Sequence, residues 1–159
     1  MDLDYIAYNM PETYFNPGEF PALSLMIDHP KSAALVFSSG KVVITGPKDV
    51  NTATDVLADI GIMLQEIGID VYQSPPVEIV NIVGHTQLDN KINLHMIAPR
   101  LQNSNFEPAK FPGIVYNYSE DVNVLIFQSG KLVETGAKSM TEMEEAINNT
   151  STIIGELML

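Results

Sequence analysis

The chain has 159 residues, 45% of them hydrophobic, which suffices for one domain with a buried core. Eight Lys and Arg against 20 Asp and Glu give a formal net charge of -12, a sum that by itself argues against nucleic acid or an anionic membrane as partner. Lack of cysteine removes disulfide frameworks, thiol catalysis and Cys-rich zinc modules. No apolar run approaches the roughly 18 residues of a membrane-spanning helix. The start Met1-Asp2-Leu3-Asp4 is acidic where a secretory or organellar leader is basic. A soluble, intracellular protein is expected.

In chain order, residues 3–9 carry apolar side chains at helical spacing and close on a proline, which predicts a short helix. Residues 20–27 and 33–37 are β-branched and apolar with a turn at His29-Pro30 between them. A Ser38-Ser39-Gly40-Lys41 turn leads into residues 42–45, so three adjacent antiparallel strands are expected. Residues 49–68 place Val56, Leu57, Ile60, Met63, Leu64 and Ile67 on one helical stripe, with Gly68 as the stop. An extended segment follows at 71–83, interrupted by Pro75-Pro76. Residues 94–101 then repeat the short helix and 141–157 the long one.

That recurrence is written into the sequence. Asn16-Pro17-Gly18-Glu19-Phe20-Pro21 answers to Glu107-Pro108-Ala109-Lys110-Phe111-Pro112 at an offset of 91. Leu35-Val36-Phe37-Ser38-Ser39-Gly40-Lys41-Val42-Val43-Ile44-Thr45-Gly46-Pro47-Lys48 answers to Leu125-Ile126-Phe127-Gln128-Ser129-Gly130-Lys131-Leu132-Val133-Glu134-Thr135-Gly136-Ala137-Lys138 at an offset of 90. Leu3, Ile6, Ala7 and Phe15 likewise meet Leu94, Ile97, Ala98 and Phe106. A unit of about ninety residues is too long for a solenoid and fits an intramolecular pseudo-dimer. The expected organisation is a first repeat over 1–69, a connecting strand segment over 70–84 and a second repeat over 85–159. The connecting segment has no counterpart at the outer ends of the sequence.

Alternation along residues 41–45 puts Val43 and Thr45 on one sheet face, with Lys41 at its edge, and Val42 and Ile44 on the other. One face must receive the apolar stripes of the helices. The other presents Val, Leu, Thr and Phe with no helix layer left to cover it. Such a surface marks a binding site, or an interface between two copies of the chain.

The two blocks resemble the two halves of the core of the TATA-box-binding protein family, and the resemblance runs over essentially all 159 residues. It implies an α+β fold, a saddle of two pseudo-symmetric repeats of curved antiparallel sheet with helices on the convex side, forming one domain over 1–159. It also implies a general transcription initiation factor that binds AT-rich promoter DNA in the minor groove, bends it, and recruits the B-type initiation factor and RNA polymerase. By position, Phe20, Phe37, Phe111 and Phe127 resemble the family's intercalating wedges. Asn81 and Val83 match its central readers of A·T pairs, Val43, Thr45, Val133 and Thr135 its groove-floor residues, and Lys41, Lys48, Lys131 and Lys138 its phosphate contacts. Glu107 and Pro108 lie in the loop where the B-type factor docks in relatives. Other basal factors on the acidic helices and a homodimer are further partners the resemblance and the open face admit. No cofactor, metal or catalytic residue is implied.

The chain also departs from the family. Glu19, Met26, Asp28 and Asn117 stand where the family has arginines around the first loop and on the strand edges, and Lys110 replaces an acidic or apolar residue. Glu134 falls by alternation on the helix-covered side, where relatives are apolar. These losses keep open a second reading, an interaction protein of the same fold with weakened DNA binding that acts through partners or self-association. Enzymatic chemistry has no support: His29, His85 and His95 are scattered, and Ser39-Gly40-Lys41 lacks the rest of a phosphate-binding loop. The charge also divides: the four matched lysines cluster in the strand-turn motifs, while Asp49, Asp55, Asp59, Glu66, Glu142, Glu144, Glu145 and Glu156 fall on the long helices.

Overall fold

Asp2 opens the first helix, α1 (Leu3–Asn9), by accepting the Tyr5 N–H on its carboxylate. After it come β1 (Thr13–Tyr14), β2 (Ala22–Ile27), β3 (Ser32–Phe37), β4 (Val42–Thr45) and α2 (Val50–Glu66). In the computed structural model, which describes residues 1–159, the four strands form an antiparallel sheet in the order β1-β2-β3-β4. Asp49 caps α2 by accepting the Thr52 N–H, and Gly68 ends it with a φ of 83°. Leu23 pairs with Val36 and Leu25 with Ala34, and all four are buried with Ile6, Val56, Ile60 and Leu64. Their alternate neighbours Ser24, Leu35 and Val43 line the opposite face, which no helix covers.

The second set repeats this with one strand more: β5 (Ile82–Gln87), α3 (Leu94–Ile97), β6 (Ser104–Asn105), β7 (Gly113–Asn117), β8 (Asn123–Phe127), β9 (Lys131–Ala137) and α4 (Met140–Leu157). The antiparallel order is β5-β9-β8-β7-β6. Its core joins Ile97, Ile114, Val124, Ile126, Leu132, Ala146 and Ile154. Residues Met1–Glu78 make one compact unit and Ile79–Leu159 a second. No helix is long and apolar enough to cross a membrane.

Four local expectations shift. The extended segment placed at 71–83 forms a strand only from Ile82, and that strand runs on to Gln87. Pro75 and Pro76 donate no N–H, and at Asn81 the side chain, not the backbone, bonds to β9. The second short helix stops at Ile97 because Pro99 cannot bond back to His95, leaving the turn closed by Arg100 and Leu101 N–H on the Ile97 carbonyl. The strand expected from Phe20 starts at Ala22, after Pro21. The two-residue edge strands β1 and β6 have too little sequence to show a period.

Candidate nucleic-acid interface

Each uncovered sheet face carries a pair of phenylalanines at one end. Phe20 sits in the turn before β2 and is 48% exposed, while Phe37 ends β3; their rings meet edge to face with centroids 6.3 Å apart. Phe111 and Phe127 repeat the pair at 5.7 Å. The turns hold the first member of each pair. Phe20 N–H donates to the Asn16 carbonyl at 3.0 Å, and Phe111 N–H to the Glu107 carbonyl at the same distance. In the first unit Tyr14 Oη donates to Glu19 Oε2 at 2.7 Å. In the second, Glu107 is gripped by Lys110 and by Asn105 Nδ2, which hold its carboxyl below the ordinary 4.5, Lys110 contributing most.

Gly113 lets the second pair close. It is paired with Phe127 in the sheet, and a Cβ there would lie 3.1 Å from the Phe111 ring, 3.2 Å from the Phe127 ring and 2.9 Å from the Ile126 carbonyl. Sequence reasoning passed over Gly113 and the Tyr14–Glu19 brace; the position of Gly113 two residues after a wedge was the available signal.

Behind the phenylalanines the face is apolar. Leu35 lies beside Val43, with Thr45 next along β4, and Leu125 lies beside Val133, which neighbours His85 on β5. Thr135 stands between Asn123 and Val83, and Val83 is 61% exposed. Asn81 precedes β5. Its Oδ1 accepts Gly136 N–H at 2.7 Å, so the amide is oriented by a backbone donor and Nδ2 is turned away from it, with only a long 3.5 Å contact to Thr135 Oγ1. His85, which the sequence left among scattered histidines, takes a place on the uncovered face between Val83 and Gln87.

The lysines divide into two kinds. Lys41 and Lys131 enter β4 and β9 on the parity of the uncovered face, whereas Lys48 and Lys138 lie in the links to α2 and α4. All four are exposed, and only Lys138 has a nearby acid, Asp121 at 4.0 Å. Glu107 and Pro108 are exposed in the turn that carries Phe111. Glu134 is fully buried, as alternation requires, and its Oε1 accepts the Ala137 N–H at 2.9 Å. The helix acids Asp55, Asp59, Glu66, Glu144, Glu145 and Glu156 are all exposed. No group of His, Asp and Glu is placed to hold a metal ion.

A model of the family "Transcription factor TFIID (or TATA-binding protein, TBP)" matches residues 1–67 and 76–157. TATA-box-binding protein B of Halobacterium salinarum is 41% identical over 99% of this chain and 86% of its own length. The TATA-box-binding protein of Archaeoglobus fulgidus is 44% identical over 95% of this chain and 84% of its own. Among solved structures, Methanococcus jannaschii TBP superposes with a TM-score of 0.82 at 38% identity, covering 98% of this chain and 89% of that one.

Proposed function

This chain belongs to the TATA-binding protein family, and we propose on that premise that it is a general transcription initiation factor that binds AT-rich promoter DNA through the minor groove, the whole chain working as one domain of two repeats. The observation that carries the reading is the uncovered face of each sheet, an apolar floor with a pair of phenylalanines at one end.

In the minor groove an A·T pair offers only the acceptors A N3 and T O2, while G·C adds an amino donor. Asn81, its oxygen committed to Gly136, has its Nδ2 hydrogens left for those acceptors. An apolar floor of Val43, Val83 and Val133, with Thr45 and Thr135 beside it, offers a guanine amino group no acceptor of comparable strength, so G·C pairs lose a water bond without replacement. The phenylalanine pairs supply the area that offsets unstacking, a few kcal/mol per step, and the kink opens the groove to the sheet. Lys41, Lys48, Lys131 and Lys138 neutralise phosphates, and the B-type factor docks at Glu107 and Pro108.

The test is binding to an AT-rich and a GC-rich duplex of equal length across a salt series. Preference for AT-rich DNA, lost on Phe111→Ala, is the expected result, and each Lys→Ala at the four positions should lower the salt slope by about one unit. Equal affinity for the two duplexes, or indifference to Phe111→Ala, defeats the reading.

A further inference from the structure

The uncovered face of the second unit carries one polar side chain that neither the apolar floor nor the phenylalanine pairs account for. Val83, His85 and Gln87 follow one another at two-residue spacing on β5 and share that face. The polar groups on either side of His85 are tied to the protein: Asn81 Oδ1 accepts the Gly136 N–H at 2.7 Å, and Gln87 Nε2 donates to the Leu88 and Ser129 carbonyls at 3.0 and 2.7 Å. His85 is exposed, and its imidazole makes no hydrogen bond within the protein.

His85 pairs with Val133, and Val133 with Leu125, two residues before Phe127. It therefore lies in the row of the floor next to the second phenylalanine pair, about 7 Å along the strands. Its surroundings are nearly free of charge. On β9 the nearest charged side chain is Lys131, opposite Gln87, and Val133 and Leu125 are apolar. Glu134 is buried on the other side of the sheet, where α4 packs against Gly84, and Asp89 lies beyond the end of β5.

A neutral imidazole has one N–H and one bare nitrogen. With nothing in the protein holding the ring, it can turn the N–H to A N3 or T O2, or the bare nitrogen to the amino group that a G·C pair adds. Val83 and Val133 beside it can do neither. In the protonated ring both nitrogens donate, so the guanine amino group loses its acceptor while the A·T acceptors gain a charged donor. We propose, resting on the DNA reading above, that His85 is a specificity-determining contact: while neutral it lets one base pair near the Phe111–Phe127 end be G·C as well as A·T, and protonation closes that position to G·C.

The test is a scan in which each A·T pair of an AT-rich duplex is changed singly to G·C, with affinities read by fluorescence anisotropy at pH about 8 and about 5.5, the two sides of the ordinary histidine range. Most changes should weaken binding about tenfold, within the usual cost of one wrong pair. At the higher pH one change should weaken it less than about twofold, and lowering the pH should bring that change level with the others. His85→Val should give it the full loss at both pH values, and His85→Gln, whose amide donates and accepts without titrating, should keep it tolerated at both. His29 and His95 lie off this face, in the turn after β2 and on α3, so a pH response of the scan that survives His85→Gln overturns the role. So does a scan with no tolerated change, or one that His85→Val leaves as it was. A loss spread equally over every duplex in His85→Val makes the residue a phosphate contact and overturns the role as well. All of these outcomes leave intact the preference of the parent duplex over a GC-rich one; absence of that preference defeats the DNA reading, and this role with it.

Discussion

The helix-facing side of the first unit joins Ile44 on β4 to Ile60 on α2; in the second unit the same places hold Glu134 and Thr150, both fully buried. A third substitution accompanies them: Pro47, which has no N–H, becomes Ala137, whose N–H is answered by Glu134 Oε1. The carboxylate therefore satisfies a donor that exists in only one repeat. Glu134 Oε2 and Thr150 Oγ1 have no protein partner, so the second unit carries polar atoms at a place the first fills with hydrocarbon. One repeat thus keeps an unusual residue for a single neighbouring N–H, since an unmet buried donor costs about 1–3 kcal/mol.

The sharpest break in the symmetry is at two matched glycines, Gly46 just after β4 and Gly136 near the end of β9. A Cβ on Gly136 would overlap the Asp121 carbonyl oxygen, whereas on Gly46 it would lie 2.6 Å from the Lys31 carbonyl; both glycines have positive φ. Gly136→Ala is expected to cost about 3 kcal/mol, the upper end of ordinary substitutions, and Gly46→Ala less, as read by urea unfolding. Equal losses would mean that φ alone, and not the close approach, decides.

Next comes the buried carboxylate. Glu134→Ile alone should destabilise by about 2 kcal/mol by orphaning the Ala137 N–H. Adding Ala137→Pro and Thr150→Ile, which copies the first unit, should recover that loss. A triple variant no more stable than Glu134→Ile would show that the three positions do not act together.

On DNA, Phe111→Ala and Phe20→Ala should each weaken AT-rich binding about tenfold, about 1.4 kcal/mol. Gly113→Ala, which pushes the Phe111 and Phe127 rings apart, should impair the second pair without removing a ring. Electrophoretic mobility shifts on one duplex rank the three.

The smallest effect is in the helix caps. Asp49 is held below its ordinary 3.8, first by the Thr52 N–H and then by the Thr52 hydroxyl. A depressed carboxyl contributes stability that is present above 3.8 and lost as pH falls through the lower folded value. Ser139, which caps α4 through its hydroxyl, does not titrate there. Asp49→Ser should therefore flatten the acid limb of the stability curve below 3.8, measured by thermal melts against pH. An unchanged limb removes Asp49 from the acid response.

Much was legible along the chain because it depends on local pattern. Helical stripes placed α1, α2 and α4, two-residue alternation assigned Val43 and Ile44 to opposite faces, and the ninety-residue recurrence matched Phe20 with Phe111 and Phe37 with Phe127. Alternation also buried Glu134 correctly.

What tertiary structure alone decided involves groups far apart in sequence. The Asn81 amide is oriented by Gly136 N–H, 55 residues away. Gly84 sits beneath Met143, and His85 reaches the uncovered face through its pairing with Val133. Periodicity tells which way a side chain points relative to its own backbone. It does not tell which strand lies alongside, and that neighbour sets whether Leu132 is sealed and Val42 is not.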